Sequence, residues 1–200
     1  EWGDDSILII PHDFPPYFQF KEKEVGRFIV SMVLFKNDAT AKACLNWWRK
    51  KTIGWCYYKA EDGRLGDQVY LEEWPSRFKG VHILKHKGGM LAPWNVMYYP
   101  LAQKGKTILV KSEPLVFYHF HGFRLLARDG YEYTFGYELS TARSKLIYYP
   151  YTQAIEKAKA IVGKVNPSFH YGYSAPRPVW QKTINYLYAI KLKWQRIIKI

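Results

Sequence analysis

Short, continuous apolar runs closed by turn signals constrain the fold of this chain more than any other feature. Ser6–Ile10 (SILII) is followed by Pro11, and the run from Arg27 to Phe35 (RFIVSMVLF) is followed by Asn37 and Asp38. Runs of this length, rich in β-branched residues, are typical of buried strands. The same reasoning predicts further strands at 81–85, 107–110 and 115–118.

Helical patterns alternate with these runs. A helix capped by Asn37 and Asp38 is predicted to run to about Tyr58, and a second is predicted to open at the Gly66-Asp67-Gln68 segment. Two more are predicted at 150–162 and 179–200. Strands that alternate with helices predict an α/β fold.

Composition limits the partners of the chain. The 200 residues carry a net charge of +13, and 18% of them are aromatic. This balance predicts a folded protein with an anionic partner, either nucleic acid, acidic lipid or a phosphorylated small molecule. No apolar run approaches the ~18 residues of a membrane span. Cys44 and Cys56 are expected about 18 Å apart on one helix, and therefore as reduced thiols.

The segment LVFYHFHGFR (115–124) contains the most distinctive polar residues. On an extended strand, His119 and His121 would face the same side, where two imidazoles suit a divalent metal. Gly122 would let a ligand approach the backbone, and Arg124 could hold a phosphate. A pair of hydrogen-bonded structural histidines would fit the same pattern.

Three other stretches supply candidate side chains. Asp67 and Gln68 lie near a predicted helix N-terminus, where an Asp is also an ordinary cap. The MLAPWN segment places Trp94 and Asn95 in a loop, which suits either a sugar platform or a packed turn. His86 adds another imidazole beside a flexible Gly-Gly pair.

The order of these motifs resembles that of the retaining glycosyltransferases of the GT-A fold. The matching segments are GRFIVSMVLFKND (26–38), GDQVYLEEWP (66–75), APWN (92–95) and YHFHGFR (118–124). The chain is similar to glycogenin-like and lipopolysaccharide galactosyltransferase-like enzymes, and more closely to bacterial nucleotide-diphospho-sugar transferases of surface-polysaccharide clusters. The resemblance implies a GT-A-like mixed sheet flanked by helices.

The resemblance also implies roles at the donor. His119 would ligate a manganese (or magnesium) ion that bridges the donor diphosphate. Gly122, His121 and Arg124 would bind the diphosphate, with Arg124 in place of the lysine of the Lys-Pro-Trp that family members often carry.

The remaining roles concern the sugar and the acceptor. Asp67 and Gln68 would be the catalytic pair that faces the donor sugar and the acceptor. Trp94, Asn95 and His86 are the candidates for binding the sugar or the acceptor.

The chain departs from the family pattern at two points. Ile29 stands where an Asn is expected, and the sequence contains no D-x-D motif. We expect the D-x-D to lie upstream of residue 1, in a nucleotide-binding half that this chain lacks, so that the fragment alone is inactive. Residues 1–150 are then the C-terminal portion of the GT-A-like domain, and 151–200 form a helical extension.

The predicted final helix (179–200) contains cations and no acidic residue. This composition predicts a basic amphipathic helix attached to an anionic membrane surface. An ordinary amphipathic helix docked on the domain is the alternative.

The expected function is therefore transfer of a sugar from a nucleotide-diphosphate donor, a UDP-sugar above all, to a polysaccharide or lipid-linked acceptor. The expected location is the cytoplasm, at the inner face of the cell membrane. One alternative is a basic aromatic module that binds single-stranded nucleic acid, although the chain lacks an RNA-binding strand signature. A zinc hydrolase is a third hypothesis, for which HExxH is absent.

Overall fold

A computed structural model of the chain describes residues 2–126, 130–181, 183, 184, 186, 187 and 190. It confirms the predicted α/β class. The chain forms two compact units: unit 1 comprises Glu1–Leu91 and Leu109–His119, and unit 2 comprises Ala92–Ile108 and Phe120–Ile200. The predicted division into 1–150 and 151–200 does not coincide with these units and stays a prediction.

Unit 1 is built around three strands and a long helix. Its principal elements are β1 (Ile7–Pro11), α1 (Glu22–Val25), β2 (Phe28–Phe35), α2 (Ala39–Gly54), α3 (Trp74–Arg77) and β3 (Val81–Ile83). Single 3₁₀ turns cover Gln19–Lys21, Val69–Glu73 and Lys87–Gly89.

The sheet of unit 1 has the strand order β2-β1-β3. β1 pairs with β2 in antiparallel fashion, with Ile7 opposite Phe35. It pairs with β3 in parallel fashion, with Ile7 opposite Val81. Both faces of β1 are buried, since Ile7 to Ile10 are all at most 5% exposed, and this explains its continuous apolar sequence.

The core of unit 1 joins this sheet to α2 and α3. The buried cluster consists of Ile7, Ile9, Phe28, Ala41, Cys44, Leu71 and Trp74. Burial raises the pKa of the Cys44 thiol to about 12. The thiol is therefore a packing group and not a nucleophile.

Helix α2 starts where the sequence predicts and ends earlier. The Asp38 carboxylate accepts a hydrogen bond from the Ala41 amide at 2.8 Å, and this bond is the main reason that the pKa of Asp38 is lowered. The helix ends at Gly54, and Trp55 has an extended backbone. Cys56 therefore lies outside the helix, which corrects the expectation of two cysteines on one helix. Both cysteines are free thiols.

Unit 2 combines a small sheet with a long helix. Its elements include β4 (Leu101–Lys104), β7 (Arg124–Leu126), β8 (Gly130–Glu132), α4 (Thr141–Arg143), α5 (Tyr149–Val165) and β9 (Tyr173–Ser174). β7 pairs with β8 in antiparallel fashion and with β9 in parallel fashion. β5 (Thr107–Val110) starts in unit 2 and ends in unit 1, and β6 (Glu113–Pro114) belongs to unit 1, where it pairs with the end of β5 in antiparallel fashion.

A π-helical turn, Ser144–Tyr148, joins α4 to α5. Pro150 follows in the first turn of α5, where it cannot donate to the carbonyl four residues earlier. The turn places Tyr148 in the core of unit 2, fully buried, with its ring 4.9 Å from Tyr133 and 5.3 Å from Phe120.

The predicted strand at 115–118 is reduced to a single bridge between Tyr118 and Leu91. Phe123 donates its amide to the Phe120 carbonyl at 3.1 Å, so the chain turns here instead of continuing as a strand. The expectation that both histidines of this segment project from one face of a strand is therefore wrong.

The last predicted helix lies mostly outside the described residues, since 182, 185, 188, 189 and 191–200 are not among them. Among the residues that are described, no helix is long and apolar enough to cross a membrane.

Candidate functional site

The parallel pairing of β1 and β3 brings the carboxyl ends of both strands to one edge of the sheet in unit 1. His12 and Asp13 come directly after β1, and His86 and Lys87 follow β3 after a short connection. In α/β proteins, ligands bind outside the carboxyl ends of the strands. This edge is therefore the expected location of a ligand-binding site in unit 1.

Four polar side chains lie at this edge, and we call them the carboxyl-edge cluster: His12, Asp13, Gln68 and Lys87. The Lys87 ammonium forms an ion pair with the Asp13 carboxylate at 2.8 Å. The Gln68 side-chain nitrogen donates to the Val25 carbonyl at 2.8 Å and lies 3.5 Å from His12 Nε2. The cluster therefore combines an imidazole, a carboxylate, an amide and an ammonium group.

Burial differs within the carboxyl-edge cluster. His12 is only 4% exposed, and its ring stacks on Phe14 at 4.6 Å. The Asp13 and Lys87 side chains keep 17% and 29% of their surface. Water and ligands can therefore reach the ion pair, while the histidine behind it is shielded.

The backbone holds the cluster in an uncommon geometry. Asp13 has a φ of +52°, the left-handed region that non-glycine residues rarely enter and that is enriched at functional sites. On the other side, the Lys87 amide donates to the Glu113 carboxylate at 2.5 Å. Gly88 follows, and its carbonyl accepts the amides of Val116 and Phe117 at 2.8 and 3.0 Å.

The predicted catalytic pair is connected to this cluster through Gln68. The indole nitrogen of Trp48 donates to the Asp67 carbonyl at 2.8 Å, which fixes the backbone just before Gln68. The 3₁₀ turn begins at Val69, and Gln68 occupies its N-cap position without a side-chain capping bond. Asp67 is half-buried.

The predicted sugar-binding residues of unit 2 lie in a packed turn. Trp94 is 4% exposed, and its ring contacts the rings of His121 at 5.7 Å and Tyr137 at 6.0 Å. Asn95 is fully buried, and its side-chain oxygen accepts the Ala92 amide at 2.9 Å. The structure thus brings the predicted Trp94 and His121 together, and the packed-turn reading describes Trp94 and Asn95 as they stand.

The Arg143 guanidinium holds this turn from the other side. It donates to the carbonyls of Val96 at 2.8 Å and Tyr99 at 3.0 Å. Sequence reasoning did not single out Arg143, because a contact with carbonyls more than forty residues away leaves no local pattern.

Arg124, the predicted phosphate ligand, is held within unit 2. Its guanidinium donates to the Glu132 carboxylate at 2.8 Å and to the Ala175 carbonyl at 2.7 Å. Arg177 donates to the same carboxylate at 3.0 Å. The geometry of Arg124 is therefore that of a structural ion pair.

The two remaining predicted donor residues lie close together in the sequence. His119 donates its backbone amide to the Leu91 carbonyl at 2.9 Å. Gly122 has a φ of +75°, a conformation that glycine adopts without strain. Within the ranges that the structure describes, no group of three or more His, Cys, Asp or Glu side chains is placed to hold a metal ion.

Unit 1 also contains an open cleft of about 430 Å³. Its lining includes two cationic side chains and five carboxylates, those of Glu22, Glu24, Glu61, Asp62 and Glu72. Like charges repel, so this lining disfavours a diphosphate or a nucleic acid. The cleft is not a candidate for the anionic donor.

Of the residues at this edge, the sequence predicted roles for Gln68 and His86 and for none of the others. His12 and Asp13 follow a strand that Pro11 closes, and polar residues directly after a buried strand were the available signal. Lys87 stood inside a segment singled out only for its histidine and its glycines.

Comparisons with known proteins give relatives but no function. The chain is 32% identical over 171 residues to YfnD of Bacillus subtilis strain 168, which covers 84% of this chain and 55% of YfnD. It is 28% identical over 121 residues to YfnF of the same organism, covering 60% of this chain and 40% of YfnF. Both relatives are described as uncharacterized proteins.

The chain thus spans about half the length of the curated relatives it matches. No protein-family model matches it. No solved structure is significantly similar to it.

Proposed function

We propose that this chain is part of a GT-A-type glycosyltransferase that moves a sugar from a nucleotide-diphosphate donor to a polysaccharide or lipid-linked acceptor. The observation that carries the proposal is the carboxyl-edge cluster, which lies where α/β proteins bind ligands and includes Gln68 of the proposed catalytic pair. The ordered motifs of the family resemblance supply the reaction class.

The reaction defines what the side chains must do. The bond between the anomeric carbon and the diphosphate oxygen breaks, and the diphosphate leaves with the electron pair. The acceptor hydroxyl oxygen forms the new bond to the anomeric carbon, and its proton passes to an oxygen of the leaving diphosphate. Charge therefore develops on the leaving diphosphate and at the anomeric carbon, and these are the two places that need stabilisation.

Lys87 is the side chain we assign to the diphosphate. An ammonium group on a partly exposed stem can approach an anion, and Asp13 holds it in place at 2.8 Å. Arg124 is bound to both the Glu132 carboxylate and the Ala175 carbonyl within unit 2, whereas Lys87 lies at the same sheet edge as Gln68 of the proposed catalytic pair. We therefore transfer the role that the resemblance implies for Arg124 to Lys87.

Gln68 and Asp67 are the side chains we assign to the sugar. The Gln68 amide lies beside His12 at the same edge as Lys87. An amide can hydrogen-bond to sugar hydroxyls, and a carboxylate can stabilise positive charge at an anomeric carbon.

The metal stays outside these assignments. The resemblance implies manganese or magnesium at His119, but the described residues do not bring three suitable ligands together. The roles assigned to Lys87, Gln68 and Asp67 therefore do not depend on a metal ion.

Calorimetric titration with UDP, in the presence and absence of manganese, tests the proposal directly. Removing the cation by Lys87→Gln should weaken UDP binding about 10-fold or more, since a hydrogen bond to a charged group contributes about 1.5–3 kcal/mol. Lys85→Gln is the matched control, because this exposed lysine lies two residues away and carries the same charge. His119→Ala should abolish only the part of the affinity that depends on manganese.

Two results would count against the proposal. Equal UDP affinities for Lys87→Gln and Lys85→Gln would remove Lys87 from the donor site. Tight, salt-sensitive binding of a single-stranded oligonucleotide, with no binding of UDP by the folded chain, would favour the nucleic-acid module instead.

A further inference from the structure

The positive charge of this chain is concentrated at its C-terminal end. Residues 157–200 contain nine of the 30 lysines and arginines and none of the 17 aspartates and glutamates. They therefore account for +9 of the net charge of +13. Such a segment attracts an anionic surface and repels a cationic one.

The described part of the same region also exposes apolar side chains. Val165 is 84% exposed, Val179 78% and Trp180 61%. Other large apolar side chains exposed there are Ile161, Phe169, Tyr171, Ile184, Tyr186 and Leu187. The number of exposed apolar side chains between 161 and 187 makes this region a candidate interaction surface, because single exposed apolar residues are normal but dense groups of them are not.

Helix α5 arranges cations and apolar side chains on one stripe. Lys157, Ile161, Lys164 and Val165 are spaced i, i+4, i+7 and i+8, which places them on the same face of the helix. All four side chains are exposed. Ile161, Lys164 and Val165 lie in the final two turns of α5. Lys157 directly follows Glu156, the last acidic residue of the chain.

The segment after α5 is anchored to unit 2 at two points. β9 pairs with β7, and Arg177 donates to the Glu132 carboxylate that also binds Arg124. Val179 and Trp180 follow this second anchor at once. The contacts of Glu132 therefore fix the backbone just before Val179 and Trp180, whose side chains are exposed at the surface of unit 2.

We propose that this surface, which we call the basic apolar face (residues 157–181, 183, 184, 186 and 187), binds a membrane surface that contains anionic lipid. The lysines would contact lipid phosphates, and Val165, Val179 and Trp180 would enter the boundary between headgroups and acyl chains. Trp180 is suited to that boundary, since its ring is apolar and its N–H can remain hydrated.

The aliphatic side chains decide between a membrane and a nucleic acid. Both partners carry phosphates and would attract the cations of residues 157–200. Val165, Val179 and Ile161 would gain nothing from a sugar-phosphate backbone, whereas an acyl boundary removes them from water. Nucleic-acid grooves use aromatic rings that stack on bases, and valine and isoleucine cannot do this.

Vesicle co-sedimentation of the full chain is the test. Vesicles of phosphatidylcholine alone are compared with vesicles that contain about 30% phosphatidylglycerol, at low and high salt. We expect binding only to the anionic vesicles, with a loss of binding at high salt. Lys157→Gln/Lys164→Gln should lower the partition coefficient about 10-fold or more, since each cation near the surface contributes about fivefold.

The matched control is Lys42→Gln/Lys50→Gln, which removes two exposed lysines from helix α2 of unit 1. It changes the net charge by the same amount and should leave vesicle binding nearly unchanged. Val165→Ser and Trp180→Ala keep the net charge, and each should weaken binding to the anionic vesicles at low salt, because each removes part of the apolar contribution.

Three outcomes would overturn the proposal. The first is equal loss of binding in the two double variants, which would show a general charge effect. The second is binding of a single-stranded oligonucleotide but not of anionic vesicles. The third is that the chain does not bind anionic vesicles and instead self-associates through Trp180, as detected by light scattering. A second copy of the chain would then be the partner of this surface.

Discussion

We expect a single added methyl group at Gly88 to lower the stability of the protein strongly. A Cβ built on Gly88 would lie 1.8 Å from the Pro114 carbonyl oxygen and 2.7 Å from its carbon. Both atoms belong to the backbone, so no side-chain rotation can relieve the contact. Gly88→Ala must therefore push two backbone segments apart by about 1 Å.

The expected loss of stability can be estimated from the contacts that this displacement disrupts. Over-packing in a tight core costs about 1–3 kcal/mol. The Gly88 carbonyl also accepts the amides of Val116 and Phe117, and each of these hydrogen bonds contributes about 0.5–1.5 kcal/mol. Together we expect Gly88→Ala to lower the free energy of unfolding by about 4 kcal/mol, a large part of the 5–15 kcal/mol that is typical of a domain.

Thermal and urea unfolding followed by circular dichroism measure this loss. For a chain of this size we expect the Tm to fall by about 10 °C. Two glycines provide controls within unit 1. Gly89→Ala would place its Cβ 2.5 Å from Leu84 Cδ2, the end of a flexible side chain, and should cost about 1 kcal/mol. Gly54→Ala meets nothing within 4 Å and should not destabilise the protein.

Gly88→Ala should destabilise the protein clearly more than Gly89→Ala does. If Gly88→Ala destabilised the protein no more than Gly89→Ala, the close crossing of Gly88 and Pro114 would be absent from the native protein. The position of Lys87 beside Asp13 would then lose its support as well, since the same crossing fixes the turn that carries Lys87.

Four further predictions test the fold more widely. Because the pKa of Asp38 is lowered in the folded state from its ordinary 3.8, its contribution to stability is fully present above about pH 4 and should be lost as the pH falls through the lowered value; Asp38→Asn should flatten that part of the acid-unfolding curve. Ellman's reagent should titrate one thiol in the native protein, the exposed Cys56, and two after unfolding, when the buried Cys44 becomes accessible. Glu132→Gln should lower the free energy of unfolding by about 2 kcal/mol, between the values for exposed and buried pairs, because it leaves two arginines without their charge partner. Gly163→Ala, in open space within α5, should raise the stability by about 0.5–1 kcal/mol in the same urea titration.

The sequence predicted the elements where local chemistry decides them. The run Ser6–Ile10 is apolar at every position after Ser6 and became the central strand β1. Asp38 stood at the right place for a cap, and α2 begins directly after it. These predictions succeeded because capping and continuous apolar runs depend on residues close in the chain.

The sequence failed where a distant contact decides the conformation. The run 115–118 has strand-forming residues, yet the chain there is fixed by the Gly88 carbonyl and by a bridge to Leu91. Arg124 stood in the right motif for a phosphate, but Glu132 on the neighbouring strand binds its guanidinium. Glu132 lies eight residues after Arg124, and no local pattern links the two. The pairing of β7 with β8 brings them opposite each other.

The candidate site shows the same division. The sequence by itself determined the α/β class, the buried strand β1, the capped helix and the concentration of positive charge at the C-terminal end, because these follow from composition and from spacing along the chain. Only the tertiary structure decided that His12, Asp13, Gln68 and Lys87 meet, because the parallel pairing of β1 with β3 joins segments about 70 residues apart. No local pattern can encode that meeting.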